Sequence, residues 1–353
     1  MTVTRLVGDS RDVLATLPEK HFHCCVTSPP YYNLRDYGGG EQEIGREKSL
    51  DCLAWARNER PCGECYVCAL LSVFGGKARN DGVWRVLRGD GVFSLNVADS
   101  YADKNLCMAP ARLALALQSA GWYVRCDVIW QKVNAMPGSQ QDRCTSSHEH
   151  VWMLTKSERY YFDNVAILEP LTCPAAKGVP FGGVKHAGVN GNATYSGNAY
   201  NAADMAGRTK RDVWSIPTKP CSSSHFAVMP SALVEPCVLS STSERGCCSE
   251  CGSPWKRMTK VTKEHGLDEG WEASCTCADA VIYPCRTLDP FGGSGTVALV
   301  SAEHGRDCTL IDLVPHNMEQ IAVNRLKRVQ PRLSFDTTPN TTMTPPTTEG
   351  LIE

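Results

Sequence analysis

The segment that most constrains the fold lies near the C-terminal end. An apolar stretch (Val281, Ile282, Tyr283, then Leu288) reads as a strand and runs into Asp289-Pro290-Phe291-Gly292-Gly293-Ser294-Gly295-Thr296, after which Val297–Ala302 has the apolar density of a helix. Glycines at such a turn let the backbone approach a ligand and take positive φ. The free N–H groups of the helix start that follows suit an anionic group. Cys308-Thr309-Leu310-Ile311-Asp312 then reads as a second short strand ending in a carboxylate, about 17 residues past Gly295. In nucleoside-binding α/β folds an acid at that distance takes the ribose hydroxyls. Strand, Gly turn, helix, strand and acid in this order predict an α/β fold with a ligand at the turn.

A second segment, far from the first in the chain, carries different chemistry. Phe22-His23-Cys24-Cys25-Val26 reads as a buried strand, and Thr27-Ser28-Pro29-Pro30-Tyr31 falls where it ends. Two prolines remove two N–H donors and fix φ, leaving carbonyls that only accept. A Ser hydroxyl precedes them and a flat aromatic follows. That is a rigid set of acceptors beside a stacking plate, suited to a planar ring with an exocyclic amine. Alone, the stretch reads equally well as a Pro-rich turn.

The two motifs together resemble those of the amino-methylating DNA methyltransferases, which transfer a methyl group from S-adenosylmethionine (SAM) to the exocyclic nitrogen of cytosine or adenine. SPPY ahead of FGGSG resembles the permuted β arrangement of that family, with the target-recognition region between the two halves. The likeness extends over most of residues 3–330. Gly8-Asp9, the stretch from Trp84-Arg85-Val86-Leu87 to Asp99-Ser100-Tyr101 (as middle strands), Trp130-Gln131-Lys132, Ser147–Lys156 and His225–Pro230 each resemble a family element, in order.

The resemblance implies a Rossmann-like fold, a mixed and mostly parallel sheet with helices on both faces. It implies a catalytic set of Ser28, Pro29, Pro30 and Tyr31. Ser28 Oγ and the Pro29 carbonyl would accept the two amine hydrogens, and Tyr31 would stack on a base flipped out of the duplex. SAM would lie against Phe291, Gly292, Gly293, Ser294, Gly295 and Thr296 with its ribose on Asp312. His225 and Phe226 would form the helix entry that closes over it, and Asp9 and Asp289 are further cofactor-side carboxylates. Lys132, His148 and Glu149 are candidates for ordering DNA or the catalytic loop, and read equally well as structural residues. In this family Ser before Pro-Pro leans toward cytosine N4, and Asp or Asn toward adenine N6. N4-cytosine is therefore the expected target, with adenine N6 the alternative.

Nineteen cysteines in a chain expected to be cytoplasmic argue for metal or buried thiols rather than disulfides. Cys62, Cys65 and Cys68 form one cluster, with Cys52 upstream as fourth ligand; Cys248 and Cys251 form another with Cys275 and Cys277. Cys-x2-Cys knuckles place two thiolates on one tetrahedral Zn²⁺, and four sulfurs close a structural site. Structural zinc at one or both clusters is expected, with an iron–sulfur cluster the alternative at the first. Cys24, Cys25, Cys107, Cys126 and Cys308 read as small apolar core residues.

No uninterrupted apolar run approaches the ~20 residues needed to cross a bilayer, and the first residues lack a signal-peptide core. A net charge of −2 does not advertise a nucleic-acid binder. The basic residues of the middle third, among them Lys132, Arg143, Lys156, Arg208, Lys210 and Arg211, offer a local DNA-facing surface instead. Double-stranded DNA is the expected partner, no membrane is, and a cognate restriction endonuclease and a homodimer stay open.

Residues 1–160 are expected to hold the catalytic half, with a Cys-rich insertion at about 45–75. Residues 161–222 would recognise the target, and 223–330 would bind SAM, with a zinc-ribbon-like insertion at about 245–279. The Thr- and Pro-rich 331–353 would be a disordered tail. Helices are expected at Arg11–Leu17, Ala111–Ala120, Pro230–Leu239 and Asn317–Val329, and 33–82 reads as irregular.

Three rival readings follow from the same residues. A cytosine-C5 methyltransferase needs a Pro-Cys nucleophile after the cofactor motif, whereas Cys62, Cys221, Cys237 and Cys285 all precede FGGSG. Gly293–Ala298 fits a dinucleotide fingerprint, but such a fingerprint usually opens its domain, and SPPY would go unexplained. A non-catalytic zinc-bearing DNA-binding protein is opposed by the intact Ser28, Tyr31, Gly293, Gly295 and Asp312.

Overall fold

The computed structural model describes residues 1–34, 38–57, 59, 62–170, 207–218, 228–262, 266–278, 281–317, 326 and 334–336. His225 and Phe226, most of 161–222 and of the expected helix at 317–329, and nearly all of 331–353 lie outside them. The chain opens with β1 (Thr2–Val7), α1 (Ser10–Thr16) and β2 (Phe22–Thr27), followed by α2 (Tyr66–Phe74), α3 (Gly82–Val86) and the long β3 (Leu87–Val97). A small hairpin of β4 (Tyr101–Ala102) and β5 (Asn105–Leu106) precedes α4 (Ala109–Ser119), β6 (Tyr123–Gln131) and β7 (His148–Thr155). Then come β8 (Val213–Ser215), α5 (Ser231–Ser241), β9 (Cys247–Cys248), β10 (Lys256–Thr262), β11 (Gly266–Glu272) and β12 (Ile282–Tyr283). The described elements end with β13 (Arg286–Asp289), α6 (Thr296–Glu303), β14 (Asp307–Asp312) and β15 (Ser334–Asp336).

Among the described residues nine strands form one sheet, in the order β15-β1-β14-β13-β2-β3-β7-β6-β8. Every pair from β15 to β3 is parallel. Only β7 runs the other way, antiparallel to both β3 and β6, and β8 is again parallel to β6. The sheet is therefore mixed and mostly parallel, as expected. Helices cover both faces. Cys25, Phe93, Leu95 and Leu288 pack into the layer holding α1 to α4, while Cys24, Val26 and Leu310 pack against α5 and α6. Strands buried on both sides read as continuous apolar runs rather than alternating ones, which is why β2 is buried at every position.

Three local expectations fail, each for a physical reason. Within 33–82, read as irregular, α2 is a helix whose residues are all buried except Ser72. Its apolar run is closed by Gly75 at φ 70° and ψ −169°, a backbone conformation essentially reserved for glycine. Trp84-Arg85-Val86 is the last turn of α3, not the start of a strand, and Trp84 meets Trp122 edge-on at 4.8 Å. Val281–Tyr283 and Leu288 belong to separate strands: β12 pairs with β9 in the second cysteine insertion, and β13 joins the main sheet. Pro284, which has no N–H to offer a ladder, marks the break.

Candidate active site

β2 and β13 are paired in the sheet, with Cys24 opposite Thr287 and Cys25 opposite Leu288. That register sets Ser28–Tyr31, which leave the end of β2, beside the Gly-rich turn that leaves β13. Thr27 Oγ1 donates to Asp289 Oδ1 at 2.6 Å and locks the two ends together. Because β3 is parallel to β2 and β7 is reversed, the end of β3 and the start of β7 emerge on the same edge. There they enclose a cavity of about 390 Å³. One wall carries Ser28, Pro29, Pro30, Tyr31, Asn96, Lys132 and Glu149; the other carries Asp9, Asp289, Phe291, Gly292, Gly293, Ser294, Thr296 and Asp312. Ligands of open α/β sheets bind at this carboxyl edge. Gly295 does not line it; at φ 73° it caps the start of α6.

The first wall is a hydrogen-bond network, in which Asn96 Oδ1 is buried with no partner among the described residues. Glu149 is only 5% exposed. One of its oxygens pairs with the Lys132 ammonium, and the other accepts the Tyr31 hydroxyl at 2.7 Å and Asn96 Nδ2 at 2.7 Å. Asn96 Nδ2 is also 2.9 Å from Tyr31 Oη, and Ser28 Oγ is 3.0 Å from it. A tyrosine hydroxyl has a single proton, and Glu149 holds it. The Ser28–Tyr31 bond then uses the proton of Ser28; with Asn96 Nδ2 also 3.3 Å away, Ser28 Oγ has a lone pair and no proton for whatever enters the cavity. Glu149 was a candidate from sequence; Asn96 was missed. Its signal was a polar residue in the doubly buried run of β3, since buried polar groups almost always have partners.

The second wall holds three carboxyl groups in different states. Asp312 Oδ2 accepts the Gly293 N–H at 2.7 Å, and Oδ1 accepts Val314 N–H at 2.8 Å and Asn317 Nδ2 at 3.2 Å. Burial still pushes its carboxyl up. Asp289 is pushed up to about 7 by burial, against the hydrogen bonds from Thr27 and the Phe291 N–H. Burial also opposes ionisation of Asp9, but the Arg11 side chain and N–H overcome it and hold that carboxyl below its usual range. Asp9 caps α1 and is engaged by Arg11.

Space constrains Gly292, and a positive φ constrains Gly293. A Cβ on Gly292 would meet Leu310 Cβ at 3.0 Å, and one on Gly293, at φ 47°, would find only the Phe291 carbonyl within 4 Å. What a side chain there would fill is cavity space. An aromatic ring, open backbone and a carboxylate fit an adenosine with its ribose hydroxyls.

A family model described as DNA methylase (N6_N4_Mtase) matches residues 22–249. The chain belongs to the amino-methylating DNA methylases. The type II methyltransferase M.Cfr9I of Citrobacter freundii is 32% identical over 92% of this methylase and 87% of its own length. M.SmaI of Serratia marcescens is 31% identical over 87% and 85%. The fold is shared with PvuII DNA methyltransferase (cytosine-N4-specific), at a TM-score of 0.56 and 16% identity over 95% of this chain and 89% of that one. It is shared too with a putative DNA modification methylase of Thermus thermophilus in complex with S-adenosyl-L-methionine, at a TM-score of 0.52 and 20% identity over 96% and 100%.

The methylase brings both predicted cysteine sets together. Cys52, Cys62, Cys65 and Cys68 have all their sulfurs within 4.8 Å of one another, as do Cys248, Cys251, Cys275 and Cys277. Zn–S bonds of about 2.3 Å set tetrahedral sulfurs about 3.8 Å apart, so each set could hold one ion. His23, Cys247 and Cys285 form a third, buried group that sequence spacing did not reveal. His23 Nδ1 accepts the Arg286 N–H at 3.0 Å and Nε2 lies 2.8 Å from the Gly252 carbonyl. Its ring ties the second cysteine knuckle to β13, and neither nitrogen is left for a metal. Cys24, Cys25, Cys107 and Cys308 are buried as expected, whereas Cys126 is only half-buried. No helix among the described residues is long and apolar enough to cross a membrane.

Proposed function

We propose that this methylase transfers a methyl group from SAM to the N4 amine of a cytosine flipped out of double-stranded DNA at a defined sequence. The observation that carries the reading is the Ser28–Tyr31–Glu149 network, which makes Ser28 Oγ an acceptor facing the cavity. An exocyclic amine is a poor nucleophile because its lone pair is delocalised into the ring. With one hydrogen on Ser28 Oγ and the other on the Pro29 carbonyl, the nitrogen is drawn toward tetrahedral geometry and its lone pair is freed. SAM bound against Phe291, Gly292 and Gly293, with its ribose toward Asp312, supplies an electrophilic methyl group.

The protein contributes position and charge rather than a covalent intermediate. As the nitrogen gains its methyl group it sheds a proton. Ser28 Oγ takes that proton while passing its own to Tyr31 Oη, whose proton moves onto Glu149. Tyr31 keeps its ring for the base face while its hydroxyl serves the relay.

Ser28 ahead of Pro-Pro supports cytosine; the same acceptors would serve adenine N6. Residues 161–222 are assigned to DNA reading. Within them β8 joins the sheet beside β6, and Thr218 lines the cavity. We assign structural zinc to both cysteine sets. The relatives' type II names support a restriction endonuclease acting at the same site. Base-resolved mapping of DNA from cells expressing the chain should show N4-methylcytosine at one sequence. Methyladenine would move the target to N6, and unmodified DNA would overturn the reading.

A further inference from the structure

The insertion that carries the first cysteine cluster is built against the SPPY backbone. Tyr66 lies within Cys65-Tyr66-Val67-Cys68, is fully buried, and donates its hydroxyl to the Pro30 carbonyl at 3.0 Å. Its ring meets Tyr32 at 5.5 Å, and its N–H bonds the Ser49 carbonyl at 3.0 Å. The same insertion reaches the segment a second time. The Asn33 N–H donates to the Gly45 carbonyl at 2.7 Å, and a Cβ on Gly45 would come within 2.9 Å of the Tyr31 carbonyl. Sheet strands hold Ser28–Tyr31 on one side, and this insertion holds it on the other. Cys52, Cys62, Cys65 and Cys68 draw the start of α2 together with the turns before it, and Cys52 Sγ is already 3.5 Å from Cys68 Sγ.

We propose that one divalent metal ion on Cys52, Cys62, Cys65 and Cys68 positions the catalytic backbone, with Tyr66 as the positioning residue that transmits its geometry to Pro30. This rests on the methylation reading and deepens it. The metal takes no part in the chemistry. Its effect on rate arises because a displacement of about 1 Å at a reacting centre can cost roughly 10²-fold. The second cluster sits at the other end of the strands, where Arg88 Nη1 holds the Cys251 carbonyl at 2.8 Å and His23 meets Gly252. From His23 to Ser28 is roughly 16 Å at about 3.3 Å per strand residue.

The test uses the full-length, zinc-loaded protein, with tritiated methyl transfer to DNA, SAM calorimetry, metal analysis and amide hydrogen exchange over residues 28–34. Tyr66→Phe should lower kcat by roughly 10- to 100-fold, with KM for DNA, SAM affinity and bound zinc unchanged. Exchange over 28–34 should rise. Cys62→Ser should lose one zinc per chain and show the same kcat and exchange changes. Arg88→Ala, which loosens the opposite end, should lower the melting temperature and keep both. A Tyr66→Phe kcat within threefold of wild type together with unchanged exchange overturns the proposal, as does an Arg88→Ala variant that loses as much kcat. If Cys62→Ser does not fold, Tyr66→Phe decides. If the wild type methylates no DNA, the methylation reading fails, and the exchange measurements still decide whether the cluster positions this segment.

Discussion

Replacing Glu149 by Gln keeps the shape of the side chain and removes its charge. In the wild type, one carboxylate oxygen pairs with Lys132 and the other accepts from Tyr31 and from Asn96, each at 2.7 Å. Glutamine has one acceptor oxygen and one NH2 donor, so either orientation breaks one side of the network. With the NH2 toward Tyr31, the tyrosine proton turns to Ser28 Oγ and the Ser28 proton swings into the cavity, against the amine hydrogens. With the NH2 toward Lys132, a part-buried ammonium faces a donor.

A hydrogen bond to a charged group contributes about 1.5–3 kcal/mol. Removing one preorganised group from a transition state costs about 2.7–4 kcal/mol, or roughly 10²–10³ in kcat. The expected loss in Glu149→Gln is of that size, with SAM affinity unchanged, because Glu149 makes these contacts on the substrate wall. Single-turnover transfer of labelled methyl groups to DNA measures the rate, and calorimetry measures SAM binding. A rate within about threefold of wild type would refute the assignment of Ser28 as an acceptor held so by Glu149.

Ser28→Ala should abolish methylation while DNA binding by gel shift persists; retained methylation would remove Ser28 from the mechanism. Asp312→Ala should weaken SAM binding by roughly 10- to 100-fold, about 1.4–2.8 kcal/mol, and calorimetry showing unchanged affinity would place the ribose elsewhere. Asp289 provides a pH test. Its carboxyl is pushed up to about 7 in the fold, against about 3.9 unfolded. Between about pH 4 and 7 the folded chain holds the extra proton, so the stability contributed by this group falls as pH rises through that window. Asp289→Asn keeps an acceptor for Thr27 and the Phe291 N–H, so its stability relative to wild type should grow from pH 5 to pH 8. The ceiling is about 4 kcal/mol, from about three pKa units at about 1.36 kcal/mol each; urea unfolding at the two pH values checks the sign. Metal analysis should find one zinc per intact cysteine set, and Cys277→Ser should remove one equivalent.

Local signals were legible in the chain as written. The glycine turn before α6, the proline pair after β2 and both Cys-x2-Cys knuckles are each made by residues within a few positions of one another, so backbone chemistry alone reveals them. The end of β14 was readable for the same reason, since Asp312 closes a short apolar run. Helix α2 was hidden because its cysteine and glycine neighbours carry the composition of a loop, and only burial of nearly every side chain shows why it folds.

What the tertiary structure decided is which distant polar groups share a proton or a carbonyl. Ser28, Asn96, Lys132 and Glu149 meet only because β3, the reversed β7 and β6, whose end leads into Lys132, follow β2 in the sheet order. Tyr66 reaches Pro30 across 36 positions and His23 reaches Gly252 across 229, separations over which no sequence pattern repeats. Motif spacing determined the family and led to the expectation of a nucleoside held beside an amine. Strand order brings Ser28 to Tyr31 and Glu149, and the proposed acceptor role rests on it, because a hydroxyl takes its direction from neighbours that the chain itself places far away.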